Sequence, residues 1–182
     1  DAIPSAINAW EDASKKGLDA GFMKDDMANI YRQLAHRYFD RGDLAKVIKV
    51  WERLLEIQPE DDEARRNLVH AYFLRANDYA ETDQFIYAIR YWEKAWELDS
   101  SNAELAHNLA LAHEKRNELA KAAEYWKAAV AGWKRHMSTN SGDKEVLKAR
   151  MHTVHVHLAD IALKTDNLGR AITEYNQALR YF

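Results

Sequence analysis

At 182 residues the chain can bury one sizeable core, and its formal net charge of −3 lacks the basic excess that a nucleic-acid binder needs. An apolar content of 47% excludes a disordered polymer, while no apolar run nears the roughly 18 residues of a membrane span. With no cysteine, six glycines and two prolines, the chain has no disulfide or thiolate chemistry and few residues with which to turn a sheet.

Helical periodicity predicts nine helices, at about 3–16, 25–41, 44–57, 61–82, 85–98, 102–115, 119–137, 144–165 and 168–181. The first stretch, Ala2 to Lys16, reads as the second helix of a hairpin whose first helix is absent. Reversals within hairpins are marked by Arg41-Gly42-Asp43, Thr82-Asp83-Gln84, Lys115-Arg116-Asn117 and Thr165-Asp166-Asn167. Junctions between hairpins fall at Pro59-Glu60-Asp61-Asp62 and Asp99-Ser100-Ser101-Asn102, which supply N-caps for the helices that follow. The one long polar break, Ser138 to Asp143, is expected to be a loop, since helical periodicity resumes at once.

A repeat underlies these helices. Trp10, Trp51, Trp92 and Trp126 are 41, 41 and 34 residues apart, and Tyr175 follows 49 residues later. Each has Ala or Val four residues before it and Ala or Leu three after it. The excesses over 34, seven and fifteen residues, amount to about two and four helical turns, which keep a buried face pointing the same way. Lengthened helices are therefore expected, and Tyr72 and Tyr79, one heptad apart, place one extension in the helix predicted at 61–82.

The sequence resembles the tetratricopeptide repeat, whose pattern is W-x2-L-G-x2-Y, then A-x3-F, then P. One copy reads Tyr31-x2-Leu34-Ala35-x2-Tyr38, Val47-x3-Trp51, Pro59. A second reads Arg65-x2-Leu68-Val69-x2-Tyr72 and Ala88-x3-Trp92, a third Ala106-x2-Leu109-Ala110-x2-His113 and Ala122-x3-Trp126. The fourth is His155-x2-Leu158-Ala159-x2-Ala162 and Ala171-x3-Tyr175. The resemblance implies an all-α solenoid of stacked antiparallel hairpins wound into a right-handed superhelix. It divides the chain into a half repeat at 1–18 and repeats at about 25–60, 61–101, 102–140 and 144–182, one domain that reads as a segment of a longer protein.

The resemblance also implies a function. Such solenoids bind an extended peptide or partner segment along a concave wall built by the first helix of each hairpin. Repeat spacing puts Arg32, Gln33 and His36 on that wall, then Arg66, Asn67 and His70, then His107, Asn108 and Leu111, and finally Val156, His157 and Asp160. Asn67 and Asn108 resemble the asparagine ladder of peptide-binding members, since an amide both donates to and accepts from a backbone; the alternative is that they bridge neighbouring helices. A carboxylate clamp, as in chaperone-associated adaptors that hold acidic C-terminal tails, is incomplete. Arg32, His36 and Asn67 are followed by Glu104 and Asn108, and Arg66, His70 and Asn108 by Thr153 and His157.

Catalytic patterns are lacking. His152 and His155 share a helix face but have no third ligand, so inter-repeat packing is their expected use. His113-Glu114 opens a zincin-like string that ends at Asn117. Neither a glycine-rich phosphate loop nor a nucleophile elbow is present. The expectation is a scaffold and not an enzyme, with no catalytic residue, metal or cofactor. Its partner is expected to be a protein or peptide, acidic if the wall arginines and histidines read it, in a cytoplasmic setting and without nucleic acid or membrane insertion. Two further readings stand beside this: a regulatory arm of a larger enzyme, and self-association through the ends of the stack.

Overall fold

The computed structural model describes residues 2–16, 24–139 and 144–181. Among them are nine helices and no strand: α1 (Ala2–Lys15), α2 (Lys24–Asp40), α3 (Leu44–Ile57), α4 (Asp62–Glu81), α5 (Phe85–Leu98), α6 (Ala103–Lys115), α7 (Leu119–Thr139), α8 (Lys144–Lys164) and α9 (Leu168–Leu179). The elements and most of their bounds match those expected from periodicity. Residues 140–143 of the polar break, with residues 17–23 and both end residues, lie outside the described set.

Each helix packs mainly on the helices before and after it in the chain, so α2/α3, α4/α5, α6/α7 and α8/α9 form hairpins and the hairpins stack in order. The intra-hairpin turns share one device. Gly42, Asp83, Asn117 and Asp166 all take positive φ, between 54° and 70°, just past a helix end. Glycine does this without a Cβ penalty, and Asn and Asp are the side chains that tolerate it best. Asp43 then caps α3 through Lys46 N (3.2 Å) and Asn167 caps α9 through Arg170 N (3.0 Å). At the junctions Asp61 caps α4 through Ala64 N (2.9 Å), and Asn102 caps α6 through Glu104 N and Leu105 N (3.1 and 3.2 Å).

Small residues set the spacing inside hairpins. Ala35, Ala88, Ala106, Ala110, Ala122 and Ala159 are completely buried, which lets paired helices approach closely. The tryptophans of the repeat fill the wider gaps: Trp10, Trp51, Trp92 and Trp126 are all buried. Tyr175, next in that series, is partly exposed. α6 gives Leu105, Leu109 and Ala112 to the core shared with α1–α5, and Ala106 and Ala110 to the core shared with α7 and α8.

The spacing excesses after Trp51 and after Trp126 coincide with lengthened helices; the one before Trp51 spans residues outside the described set. α4 is unbroken over 20 residues against 13 in α6, and α7 and α8 run to 21 each. The shortest first helix, α6, therefore lies between two long ones, α4 and α8.

Candidate functional site

That difference in length opens space on both sides of the α6 N-terminus. The early turns of α4 overhang the α5–α6 junction and enclose a cleft of about 630 Å³ lined by Asp62, Arg65, Arg66, Val69, His70 and Phe73 with Leu98, Asp99, Asn102 and Glu104. On the other side the extended ends of α7 and α8 enclose a second cleft of about 640 Å³, with Trp133, Arg135, His136, Leu147 and Arg150 among its walls. The two clefts share Asn102 and Glu104.

In the first cleft Val69, Phe73 and Leu98 supply apolar wall, and charges of both signs surround it. The carboxylates are engaged within the chain. Asp62 pairs with Arg65 (2.8 Å), Asp99 accepts from Ser101 N and Oγ (3.1 and 2.7 Å), and Glu104 pairs with Arg150 and accepts from Trp133 Nε1 (3.3 Å). Arg65 also donates to Pro59 O (2.8 Å). Arg66 is exposed and has no such partner among the described residues. His70 is exposed beside it, its ring tilted against Phe39 at 6.1 Å.

The wall residues chosen from spacing do not gather in one place. Arg66 and His70 share the first cleft. Asn67, on the same helix, is half-buried. Arg32 lies apart, in a shallow recess with Gln58, Pro59, Glu60 and Asp61, and is bound to Asp61 and, at 3.4 Å, to Glu63. Burial raises the Asp61 pKa, but the amide of Ala64 and the Arg32 guanidinium outweigh it and hold the carboxyl below its ordinary value. Gln33 is exposed on the same helix, and His36 is exposed with its ring edge-on to Trp51 at 5.9 Å.

His107 and His157 meet at Trp126, at 5.2 Å edge-to-face and 4.8 Å stacked. His157 Nδ1 also lies 3.1 Å from Glu114, whose carboxylate accepts from Trp126 Nε1 (3.1 Å). Asn108 hydrogen-bonds His107 Nδ1 (3.3 Å) and lines a cleft of about 390 Å³ with Asn77, Glu81, Leu111 and Lys115. Spacing had set Asn67 level with Asn108; the α4 residue that lines this cleft with Asn108 is Asn77.

The clustered histidines of α8 tie it to α9. His152 Nδ1 hydrogen-bonds Ala178 O (3.0 Å), and buried His155 pairs through Nδ1 with Glu174 (2.7 Å) and stacks on Tyr181. Among the described residues no three His, Asp or Glu side chains gather to hold a metal, and no helix is long and apolar enough to cross a membrane. Sequence reasoning missed Val69, Phe73 and Leu98, which read only as core positions. It also missed Arg150, one turn ahead of the repeat position and reachable only through the α8 extension.

One titration is set by this packing. Burial against Trp126 and Trp133 lowers the His107 pKa, outweighing Asn108 and Glu104, which raise it. The unfolded chain thus binds this proton more readily, so the contribution of His107 is complete above the ordinary histidine value of about 6.5 and is lost as pH falls through the folded value. Between about pH 7.5 and pH 5 the urea midpoint of His107→Gln should fall less than that of the parent chain. Equal falls would exclude a depressed His107.

The comparisons with known proteins agree with this architecture. Residues 28–71 match the tetratricopeptide repeat family model. No curated protein matches the chain. Among solved structures, the N-terminal domain of stress-induced protein-1 (STI-1) from C. elegans superposes with a TM-score of 0.55 at 19% identity, covering 65% of this chain and 87% of that one. A point mutant of MamA superposes at 0.51 with 15% identity, covering 85% of this chain and 97% of that one. At such identities the likeness is one of fold.

Proposed function

From a chain that carries a tetratricopeptide repeat in a tetratricopeptide-type solenoid, we propose a protein-interaction scaffold that takes an extended partner segment into the cleft between α4 and the start of α6. The fold supports protein–protein interaction as the general use. One observation supports this cleft: Arg66 has no partner among the described residues and lies beside an apolar wall of Val69, Phe73 and Leu98, while the surrounding carboxylates are already engaged. A partner side chain that is acidic gains a charge-assisted bond there, and an aliphatic or aromatic neighbour covers the wall. Asn67 and Asn108 offer amides to a partner backbone further along.

The carboxylate-clamp version is less well supported, because Arg32 is held by Asp61 and Glu63 and the next repeat offers Glu104. Panning a random peptide library against the chain tests the proposal. Expected are internal sequences with an acidic residue next to apolar ones, whose affinity falls by about tenfold or more in Arg66→Glu with the urea midpoint unchanged, since an exposed charge adds little to stability. Binding that survives Arg66→Glu removes the cleft from consideration. Binding that requires a free C-terminal carboxylate favours the adaptor of acidic tails instead.

A further inference from the structure

The hairpins α4/α5 and α6/α7 share one register. Their reversals turn on Asp83 and Asn117, both at positive φ and 34 residues apart, and the same step carries Trp92 to Trp126 and Ala80 to Glu114. In the α6/α7 hairpin two groups close in the tryptophan. Trp126 Nε1 donates to Glu114 (3.1 Å), and His157 of the following hairpin stacks on the ring and meets the same carboxylate (3.1 Å). One hairpin earlier the chain offers neither group. Ala80 stands in place of Glu114, and Asn108 stands in place of His157, 49 residues before it, the step that also separates Asn117 from Asp166.

These shorter side chains line a cleft of about 390 Å³ together with Trp92, Asn77, Glu81 and Lys115. Trp92 is 4% exposed and its Nε1 has no hydrogen-bond partner, whereas Trp126 and Trp133 both give theirs to glutamates. A buried donor without an acceptor is costly, and the cleft beside it admits an acceptor from outside the chain.

We propose that this cleft takes an acidic side chain of a partner polypeptide, whose carboxylate occupies the place that Glu114 holds in the next hairpin. It accepts from Trp92 Nε1 as Glu114 accepts from Trp126. The Asn108 amide oxygen is engaged by His107 (3.3 Å), which leaves the amide N–H groups for the second carboxylate oxygen. Lys115 and Asn77, without partners among the described residues, add a positive charge and a further donor. Glu81 is the one acidic residue in the lining, and Lys115 offsets it. The site does not depend on the first cleft. Phe73 and Asn77 on α4, like Glu104 and Asn108 on α6, are nevertheless one helical turn apart, so one partner segment can reach both.

The Trp92 indole N–H resonance, assigned through its own backbone amide, reads this contact directly. Three probes are titrated: N-acetylglutamic acid with its α-carboxyl amidated, the matching N-acetylglutamine amide, and N-acetylalanine, whose one carboxylate is a chain end. The glutamate probe should move the resonance to lower field and bind about tenfold or more tightly than the other two. Glu81→Gln should tighten it further by removing a like charge. Ala80→Glu supplies the carboxylate from within the chain, so the resonance should be shifted without any probe and the response to the probe lost. Arg66→Glu, which tests the first cleft, should leave the response unchanged, so the two sites fail independently. A Trp92 resonance indifferent to the glutamate probe, an equal response to the glutamine probe, or a response to the chain-end carboxylate alone would overturn the inference.

Discussion

Trp126→Ala should destabilise the chain by about 3–5 kcal/mol, the largest loss expected from any single truncation here. No other fully buried side chain is larger. Its ring is stacked on His157 at 4.8 Å and met edge-on by His107 at 5.2 Å, and its Nε1 donates to Glu114 (3.1 Å). Removal therefore costs transfer energy, leaves a cavity between α6, α7 and α8, and takes one of its donors from the Glu114 carboxylate. Trp126→Phe separates the contributions, because it keeps most of the ring volume but gives no donor to Glu114; about half the loss is expected. Urea denaturation at neutral pH measures both. A loss below about 1 kcal/mol for the alanine variant would mean that the α6–α8 packing does not depend on this ring.

Gly132→Ala should cost about 1–3 kcal/mol, although glycine to alanine inside a helix ordinarily gains up to about 1 kcal/mol. Gly132 lies in the interior of α7, where nothing about its backbone conformation demands glycine. The reason is steric. A Cβ at this position would sit 2.7 Å from Ala103 Cβ and 3.3 Å from Ser101 O, so α7 crosses the start of α6 too closely for any side chain. Ala103→Gly in the same chain removes the nearest clashing atom and should recover part of the loss. If Gly132→Ala alone stabilised the protein, the α6–α7 crossing would have to be looser than this. The same crossing brings Arg135 to Ser101 O (3.2 Å) and shapes the second cleft, so the double variant also probes that wall.

Much of the fold was legible in residues that act locally or through repeat spacing. Tryptophans 34 or 41 residues apart locate the second helices, because a ring that plugs one inter-hairpin gap must recur once per hairpin. Gly42, Asp83, Asn117 and Asp166 mark the reversals, since few other residues accept positive φ. Asp61 and Asn102 mark helix starts through caps that reach only two or three residues ahead. The excess of seven residues between Trp51 and Trp92 matches two helical turns, which keep the buried face in register, and α4 is unbroken over 20 residues.

The candidate site was legible only in part, for a physical reason. Sequence spacing preserves which face of a helix a residue occupies, yet it leaves open where along its neighbour a longer helix is seated. Tertiary packing put Asn77, and not Asn67, into one cleft with Asn108, and Arg66 and His70 into another over the α5–α6 junction. It also bound Arg32 to Asp61 and Glu63, charges that belong to the next junction and have no periodic relation to it. The sequence by itself determined the hairpins, their turns and the buried tryptophans, since each depends on neighbours within one repeat. Where the clefts open, and which charges around them are already paired, depended on how helices of unequal length stack, which only the tertiary structure decided.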